Sequence, residues 1–145
     1  MSGARWAAWL AGLWTGVLAA LGLIAAPTAF ALLPRETAGL LAGRLFVQEA
    51  YAGLAVAVVL LVLLRTRARR AADAGTGSLL DGDMLLVLGA LFCTVLGHFA
   101  LQPMMASARA GEGPFSFAAL HGLSAGLFGF KTVLVGLLAW RLVPR

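Results

Sequence analysis

Four long stretches of the chain are almost entirely apolar, and short polar segments separate them. A helix needs about 20 apolar residues to cross a hydrocarbon core of ~30 Å. The pattern therefore predicts membrane-spanning helices over residues 6–33, 38–64, 84–105 and 115–142, with a polar, mobile loop at 65–83. The stretches do not alternate with the two-residue period of a β-strand, so a membrane barrel is not expected.

The composition leads to the same class of protein. The chain has 145 residues, of which 61% are hydrophobic and 12% charged, and its mean hydropathy is +0.95. Soluble domains contain about 45–50% apolar and ~25% charged residues. A chain this short cannot bury so much apolar surface inside itself. We predict an all-α, integral membrane four-helix bundle, a single transmembrane domain over residues 1–145, with the lipid bilayer as its main partner.

The arginines are unevenly distributed between the two ends of the predicted bundle. One end has seven arginines and the other has three: Arg5, Arg65, Arg67, Arg69, Arg70, Arg141 and Arg145 against Arg35, Arg44 and Arg109. Arginine-rich flanks face the cytoplasm in membrane proteins. We expect both termini and the 65–83 loop in the cytoplasm, and the chain as a multi-pass protein of a bacterial inner (plasma) membrane. The net charge of +5 then reflects topology, and no nucleic-acid partner is expected.

The first predicted helix has one competing interpretation. The residues "TAFA" at 28–31 resemble a signal-peptidase site that follows an apolar stretch. The apolar part of a signal peptide is typically ~7–15 residues long, and this stretch is longer. We expect the first helix to be retained.

Small residues recur at four-residue spacing in each predicted helix: Gly12 and Gly16, Gly39 and Gly43, Gly53 and Ala57, Gly89, Cys93 and Gly97, and Gly122 and Gly126. Such ridges permit close approach of helices in lipid, where no hydrophobic force brings helices together. They predict close packing within the bundle, and ridges left unused there permit a homo-oligomer. A weak internal repeat accompanies them, because Pro27 precedes "LAGRLF" and Pro103 precedes "SAGLF".

Polar residues in three of the predicted helices fall at a similar depth, in the third of the bundle remote from the arginine-rich end. They are Arg44, Gln48 and Glu49, then His98 and Gln102, then His121 and Ser124. Ionisable groups in a membrane are costly and usually face the bundle interior. We therefore expect a polar layer near the periplasmic face.

Three roles for this layer remain open. Its side chains can form hydrogen bonds that fix the packing or support partner binding. His98 and His121 can instead be ligands of haem b or copper, with Met104 and Met105 as further sulfur ligands. The layer can also form a path for protons or small solutes. No catalytic residue is assigned, and binding, transport or assembly support is expected in place of catalysis.

Lys131 is expected to be an isolated intramembrane cation. Counting from the predicted helix ends places no acidic residue of another span at its depth. We expect its side chain to extend towards the cytoplasmic interface, or to bind a ligand or another subunit, in place of forming an internal salt bridge.

Two segments, "PTAFALLPRETAGLLAGRLF" and "FAALHGLSAGLF", resemble the transmembrane protein 205-like domain family, a set of bacterial four-helix membrane proteins without an assigned chemistry. The shared pattern comprises Pro27, Phe30, Ala42, Gly43, Phe46, Pro103, His121, Gly122 and Ser124. The resemblance implies a small membrane protein of unassigned biochemical function. It also implies a distant architectural similarity to copper-resistance protein D and the haem-dependent membrane protoporphyrinogen oxidase, which favours the haem or copper alternative.

Overall fold

The computed structural model describes residues 3–143, and these residues form four long helices and no strand. The helices are α1 (Gly3–Leu32), α2 (Arg35–Asp73), α3 (Gly82–Arg109) and α4 (Phe117–Leu142). All four are long and apolar enough to cross a membrane. The predicted all-α class is therefore confirmed, and so is the expectation of four helices with the length and composition of membrane spans. Arg145, which contributed to the predicted orientation, lies outside the described residues.

The ends of α2 differ from the prediction. Its helix continues to Asp73, although the apolar pattern ends at Leu64 and residues 65–83 were expected to be a mobile loop. Residues 65–73 are mainly arginine and alanine, which are among the best helix formers, so the helix extends beyond the apolar stretch. The connection to α3 is correspondingly short, and it ends at Asp81, which accepts a hydrogen bond from the backbone N–H of Met84 at 2.9 Å.

Two helices contain an internal irregularity beside a proline. A π-helical turn at Leu21–Ala25 precedes Pro27 in α1, and another at Leu96–Leu101 precedes Pro103 in α3. Proline lacks an N–H and clashes with the preceding turn, which the wider turn accommodates. Both helices therefore continue past the proline, to Leu32 and Arg109, instead of ending near it.

The helices are arranged in chain order around the bundle. α1 packs against α2 and α4, and α3 also packs against α2 and α4, so α2 and α4 are diagonal neighbours. We call the end of the bundle that contains Gly3, Asp73, Gly82 and Leu142 the arginine-rich end, and the end that contains Leu32, Arg35, Arg109 and Phe117 the loop end.

The apolar core is concentrated towards the arginine-rich end. Its fully buried members come from all four helices: Ala7, Ala11, Trp14, Leu18, Ala57, Leu60, Leu64, Val87, Ala90, Val135, Leu138 and Leu142. A smaller cluster of Leu101, Met105 and Leu120 joins α3 and α4 near the loop end. The loop-end segments Ala26–Leu32 and Gln102–Arg109 pack mainly on the next helix along the chain.

Candidate functional site

A buried ion pair joins the two diagonal helices. The ammonium group of Lys131 on α4 donates to Glu49 Oε2 on α2 at 2.6 Å. The side chain of Lys131 is 5% exposed and that of Glu49 is 3% exposed, so both charges are buried inside the bundle. The expectation that Lys131 is isolated and extends to the interface is therefore wrong.

The physical reason lies in the starts of the helices. Glu49 lies 14 residues after Arg35, and Lys131 lies 14 residues after Phe117, so equal rises from the loop end bring both to one depth. The predicted start of α2 at residue 38 and of α4 at 115 made Glu49 appear shallower than Lys131. Lys131 is near the middle of α4, so the pair lies near the middle of the apolar zone.

Trp14 of α1 supplies the second partner of the carboxylate. Its indole N–H donates to Glu49 Oε1 at 3.0 Å, and the ring is 4% exposed. Oε2 of Glu49 thus accepts a hydrogen bond from the charged ammonium group of Lys131, and Oε1 accepts one from the neutral indole of Trp14. No buried side-chain nitrogen or oxygen lacks a partner within residues 3–143. We call Trp14, Glu49 and Lys131 the charged centre.

Gly53 makes room for the charged centre, because it lies one helical turn after Glu49 on the same face of α2. A Cβ atom at Gly53 would lie 2.9 Å from Glu49 Oε1 and 3.1 Å from the Trp14 ring atom Cζ2. Both distances are shorter than van der Waals contact, so any side chain here would displace the hydrogen-bonded pair.

Phe128 borders the charged centre on the side of the loop end. The Lys131 ammonium lies 5.3 Å from the centre of its ring, within the range of a cation–π interaction. Phe46 meets the same ring edge to face, with ring centres 5.0 Å apart. Glu49 and Lys131 each follow one of these phenylalanines by three residues, so the pair occupies matching positions of the weak repeat.

The other polar residues of the predicted layer do not join this centre. Arg44, Gln48, Gln102 and His121 are exposed on the outside of the bundle, and Ser124 is half-buried. Among the layer residues the structure buries Glu49 alone. Gln48 is notable because it precedes Glu49 directly, and so lies at nearly the same depth while pointing away from the interior.

The two histidines belong to different aromatic clusters. The half-buried His98 ring lies 5.3 Å from the Tyr51 ring and 4.8 Å from the Phe99 ring. His121 stacks on Phe117, with ring centres 5.7 Å apart. The guanidinium group of Arg109 lies over Phe117 at 4.6 Å.

The candidate haem or copper ligands are His98 and His121, with Met104 and Met105 as sulfur ligands. Residues 3–143 contain no group of three or more histidine, cysteine, aspartate or glutamate side chains that could hold a metal ion. Met105 is buried in the apolar cluster with Leu101 and Leu120, so its sulfur serves packing. Met104 is 37% exposed.

A second carboxylate cluster lies at the arginine-rich end. Asp83, in the first turn of α3, accepts a hydrogen bond from Arg141 Nε at 2.6 Å, and Arg67 Nη1 lies 3.8 Å from its other oxygen. Its side chain is 9% exposed, whereas the arginine side chains are 51% and 55% exposed. We call Asp83, Arg67 and Arg141 the rim cluster.

Trp14 and the rim cluster had no place in the predicted site, and Gly53 was expected only in a ridge of small residues. A tryptophan in the middle of a span is itself a signal, because membrane tryptophans otherwise concentrate at the interfaces. Trp6, Trp9 and Trp140 are such interfacial residues, and all three are more than half exposed. The matching positions of Glu49 and Lys131 after Phe46 and Phe128 were a second available signal.

Only part of the predicted small-residue ridges lies at close helix contacts. Close approaches occur at Gly53 and at Gly89, where a Cβ atom would lie 3.0 Å from Leu134, as the ridges predicted. A Cβ atom at Gly12, Gly16, Gly39, Gly43, Gly122 or Gly126 would have no neighbouring atom within 4 Å. These six glycines therefore do not mediate close helix contacts inside the bundle.

The chain belongs to the family described as a domain of unknown function, DUF4149, which matches residues 9–113. The matched segment contains Trp14 and Glu49 and ends before α4 begins, so it does not include Lys131. No curated protein and no solved structure is significantly similar to the chain.

Proposed function

We propose that the protein acts by associating with a second copy of itself within a bacterial inner membrane, while the charged centre holds its own helices in place. The observation that carries this function is the exposure of Gln48 at the depth of the buried Glu49. An amide in contact with hydrocarbon lacks hydrogen-bond partners, which is unfavourable. A neighbouring helix that offers a polar group satisfies it.

Neighbouring features of α2 support the same surface. Arg44 lies one turn before Gln48 on the same face and is also exposed, and Tyr51 continues that face one turn later with 56% exposure. Gly43 lies beside Arg44 and has open space above its Cα atom. Small residues beside polar ones are typical of helix contacts in lipid.

We also propose that the arginine-rich end of the bundle faces the cytoplasm. The arginine-rich end contains Arg5, Arg65, Arg67, Arg69, Arg70 and Arg141, whereas the loop end has Arg35, Arg44 and Arg109. The positive-inside rule then assigns the arginine-rich end and both termini to the cytoplasm. We also propose that the chain is related to the transmembrane protein 205-like family. One of the two segments that carry this resemblance, at residues 27–46, lies inside the segment 9–113 that matches DUF4149.

Disulfide cross-linking in membranes tests the association. Ala52→Cys, which is exposed on the same face one turn after Gln48 and leaves the amide intact, is introduced into a Cys93→Ala background, and oxidation is expected to produce a covalent dimer. Val133→Cys is the matched control, because Val133 is 65% exposed on α4 and lies two residues from Lys131, at a similar depth. Cross-linking at position 133 alone, or at neither position, would contradict association through this surface.

A proton path is a second candidate, favoured by the acid–base pair near the middle of the bundle. Proton flux into liposomes that contain the protein tests it. A folded Glu49→Gln protein that loses flux would support the path. Equal flux in wild type, Glu49→Gln and protein-free liposomes would reject it. An absorption spectrum and metal analysis of the purified protein test the haem or copper alternative, for which a colourless, metal-free sample would be the negative result.

A further inference from the structure

A lipid-facing groove between α2 and α3 lies close to the arginine-rich end. It has a volume of about 310 Å³ and is lined by Val58, Leu61, Val62, Arg65, Met84 and Leu88. Five of these six residues are apolar, and the one charged residue is at the end nearest Asp73. The groove is therefore apolar along its length and cationic at its mouth.

The depth of the mouth corresponds to the lipid headgroups. Arg65 follows Glu49 by 16 residues, which is roughly 24 Å along the helix axis. The hydrocarbon core extends only about 15 Å from its middle, where the charged centre lies. Val58 follows Glu49 by nine residues, roughly 13 Å along the axis and close to the edge of the hydrocarbon core, so the apolar part of the groove runs about 10 Å from there to Arg65.

The arginines of this region differ in what they contact. Arg67 and Arg141 share the single carboxylate of Asp83, which compensates one of their two charges. Arg65 and Arg69 are four residues apart on one face of α2, and both are exposed. Arg65 lines the groove mouth, and Arg69 is a second cation one turn beyond it. Guanidinium groups bind phosphate through paired hydrogen bonds, and two adjacent cations favour a ligand with a net negative charge.

We propose that this groove binds an anionic phospholipid, with one acyl chain against Val58, Val62 and Leu88 and the phosphate at Arg65 and Arg69. The site is distinct from the charged centre and from the surface around Gln48. Its ligand is recognised by both its chain and its charge, which separates it from general attraction between basic segments and anionic membranes.

Thermal unfolding of the full chain in a neutral detergent tests the site. Added phosphatidylglycerol is expected to raise Tm in a concentration-dependent manner by at least about 3 °C, because a ligand that binds the folded state alone stabilises it. Phosphatidylcholine at the same concentrations is expected to give a smaller rise. Soluble glycerol phosphate, which has the charge but no acyl chain, is expected to give none.

Three variants locate the effect. The double variant Arg65→Gln/Arg69→Gln removes the cations, and Val62→Trp fills the groove; both are expected to lose the rise in Tm. Arg70→Gln is the control, because Arg70 is an exposed cation in the same segment of α2 but lies about 140° around the helix from Arg65. An equal rise with phosphatidylcholine or glycerol phosphate, or loss of the rise in Arg70→Gln alone, would overturn the proposal.

Discussion

The charged centre and the rim cluster are built from the same chemistry but differ in their surroundings. In each, a buried carboxylate is paired with a basic side chain of α4 at 2.6 Å. Lys131 in the centre is 5% exposed, whereas Arg141 in the rim cluster is 51% exposed. The centre also uses an indole N–H from α1, while the rim cluster uses a second, exposed arginine.

Because of this difference, we expect the two ion pairs to contribute differently to the free energy of folding. A buried carboxylate that loses its partner cannot be rehydrated, so the two charges of the centre depend on each other. An exposed guanidinium that loses Asp83 remains solvated by water and headgroups, so the rim pair contributes little. We therefore expect the centre, and not the rim, to hold α1, α2 and α4 together.

Removing the cation of the centre is expected to have the largest effect. Lys131→Met leaves Glu49 buried with only the Trp14 hydrogen bond, and should lower the free energy of unfolding by about 3–5 kcal/mol. Unfolding in mixed micelles with increasing dodecyl sulfate measures it. Arg70→Met is the control, since it removes an exposed cation, and it should be near neutral. A loss below about 1 kcal/mol in Lys131→Met would show that the charged centre contributes no more to stability than the rim cluster.

Removing the indole donor is expected to have the next largest effect. Trp14→Phe keeps most of the buried ring but leaves Glu49 Oε1 without its hydrogen bond, at a cost of about 1.5–3 kcal/mol for a bond to a charged group. The same unfolding assay measures the change. Trp9→Phe, at a position that is 69% exposed on the same helix, should have little effect. Equal losses in the two variants would show that the hydrogen bond does not contribute.

Filling the space beside the centre is expected to have a similar or smaller effect. Gly53→Ala places a methyl group 2.9 Å from Glu49 Oε1, so the carboxylate or the indole must move, at about 1–3 kcal/mol. Gly16→Ala on α1 has open space and should be neutral or slightly stabilising. The sign of the difference between the two alanine variants is the result to measure. A Gly53→Ala protein as stable as Gly16→Ala would contradict the tight fit.

The rim cluster is expected to give the smallest effect. Asp83→Asn removes its charge and should lower Tm by less than any of the three variants above. Added salt should also weaken the rim pair and leave the centre unchanged, because screening acts on exposed charges. Tm values of wild type and Asp83→Asn at low salt and at about 1 M NaCl measure both effects. A larger fall in Tm in Asp83→Asn than in Lys131→Met would show that the rim cluster contributes more to stability than the charged centre.

The sequence was sufficient to predict the four spans and much less of their ends. Apolar runs determine which segments enter lipid, and that signal is strong over 20 or more residues. The continuation of α2 to Asp73 depends on helix propensity outside the membrane, which the apolar pattern does not report. The π-helical turns beside Pro27 and Pro103 change the angular relation of residues along α1 and α3, so side chains four residues apart, such as His98 and Gln102, cannot be assigned to one face from regular helix geometry.

The sequence predicted that Glu49 matters but did not identify its partners. Depth was counted from helix ends that were wrong by three residues in α2 and two in α4, in opposite directions. That error was enough to separate Glu49 from Lys131 in the predicted bundle. Helix rotation was the other unknown, because it decides that Glu49 points inward while its neighbour Gln48 points outward. The matching positions after Phe46 and Phe128 would have suggested the pair without any depth estimate.

A double-mutant cycle on Glu49 and Lys131 tests the central claim most directly. The free energies of unfolding of wild type, Glu49→Gln, Lys131→Met and the double variant are measured in one micelle system. If the charges compensate each other in the buried centre, the double variant loses much less than the sum of the single losses, with a coupling energy above about 2 kcal/mol. Single losses that add within about 0.5 kcal/mol would show that the two residues act independently, and would contradict the account.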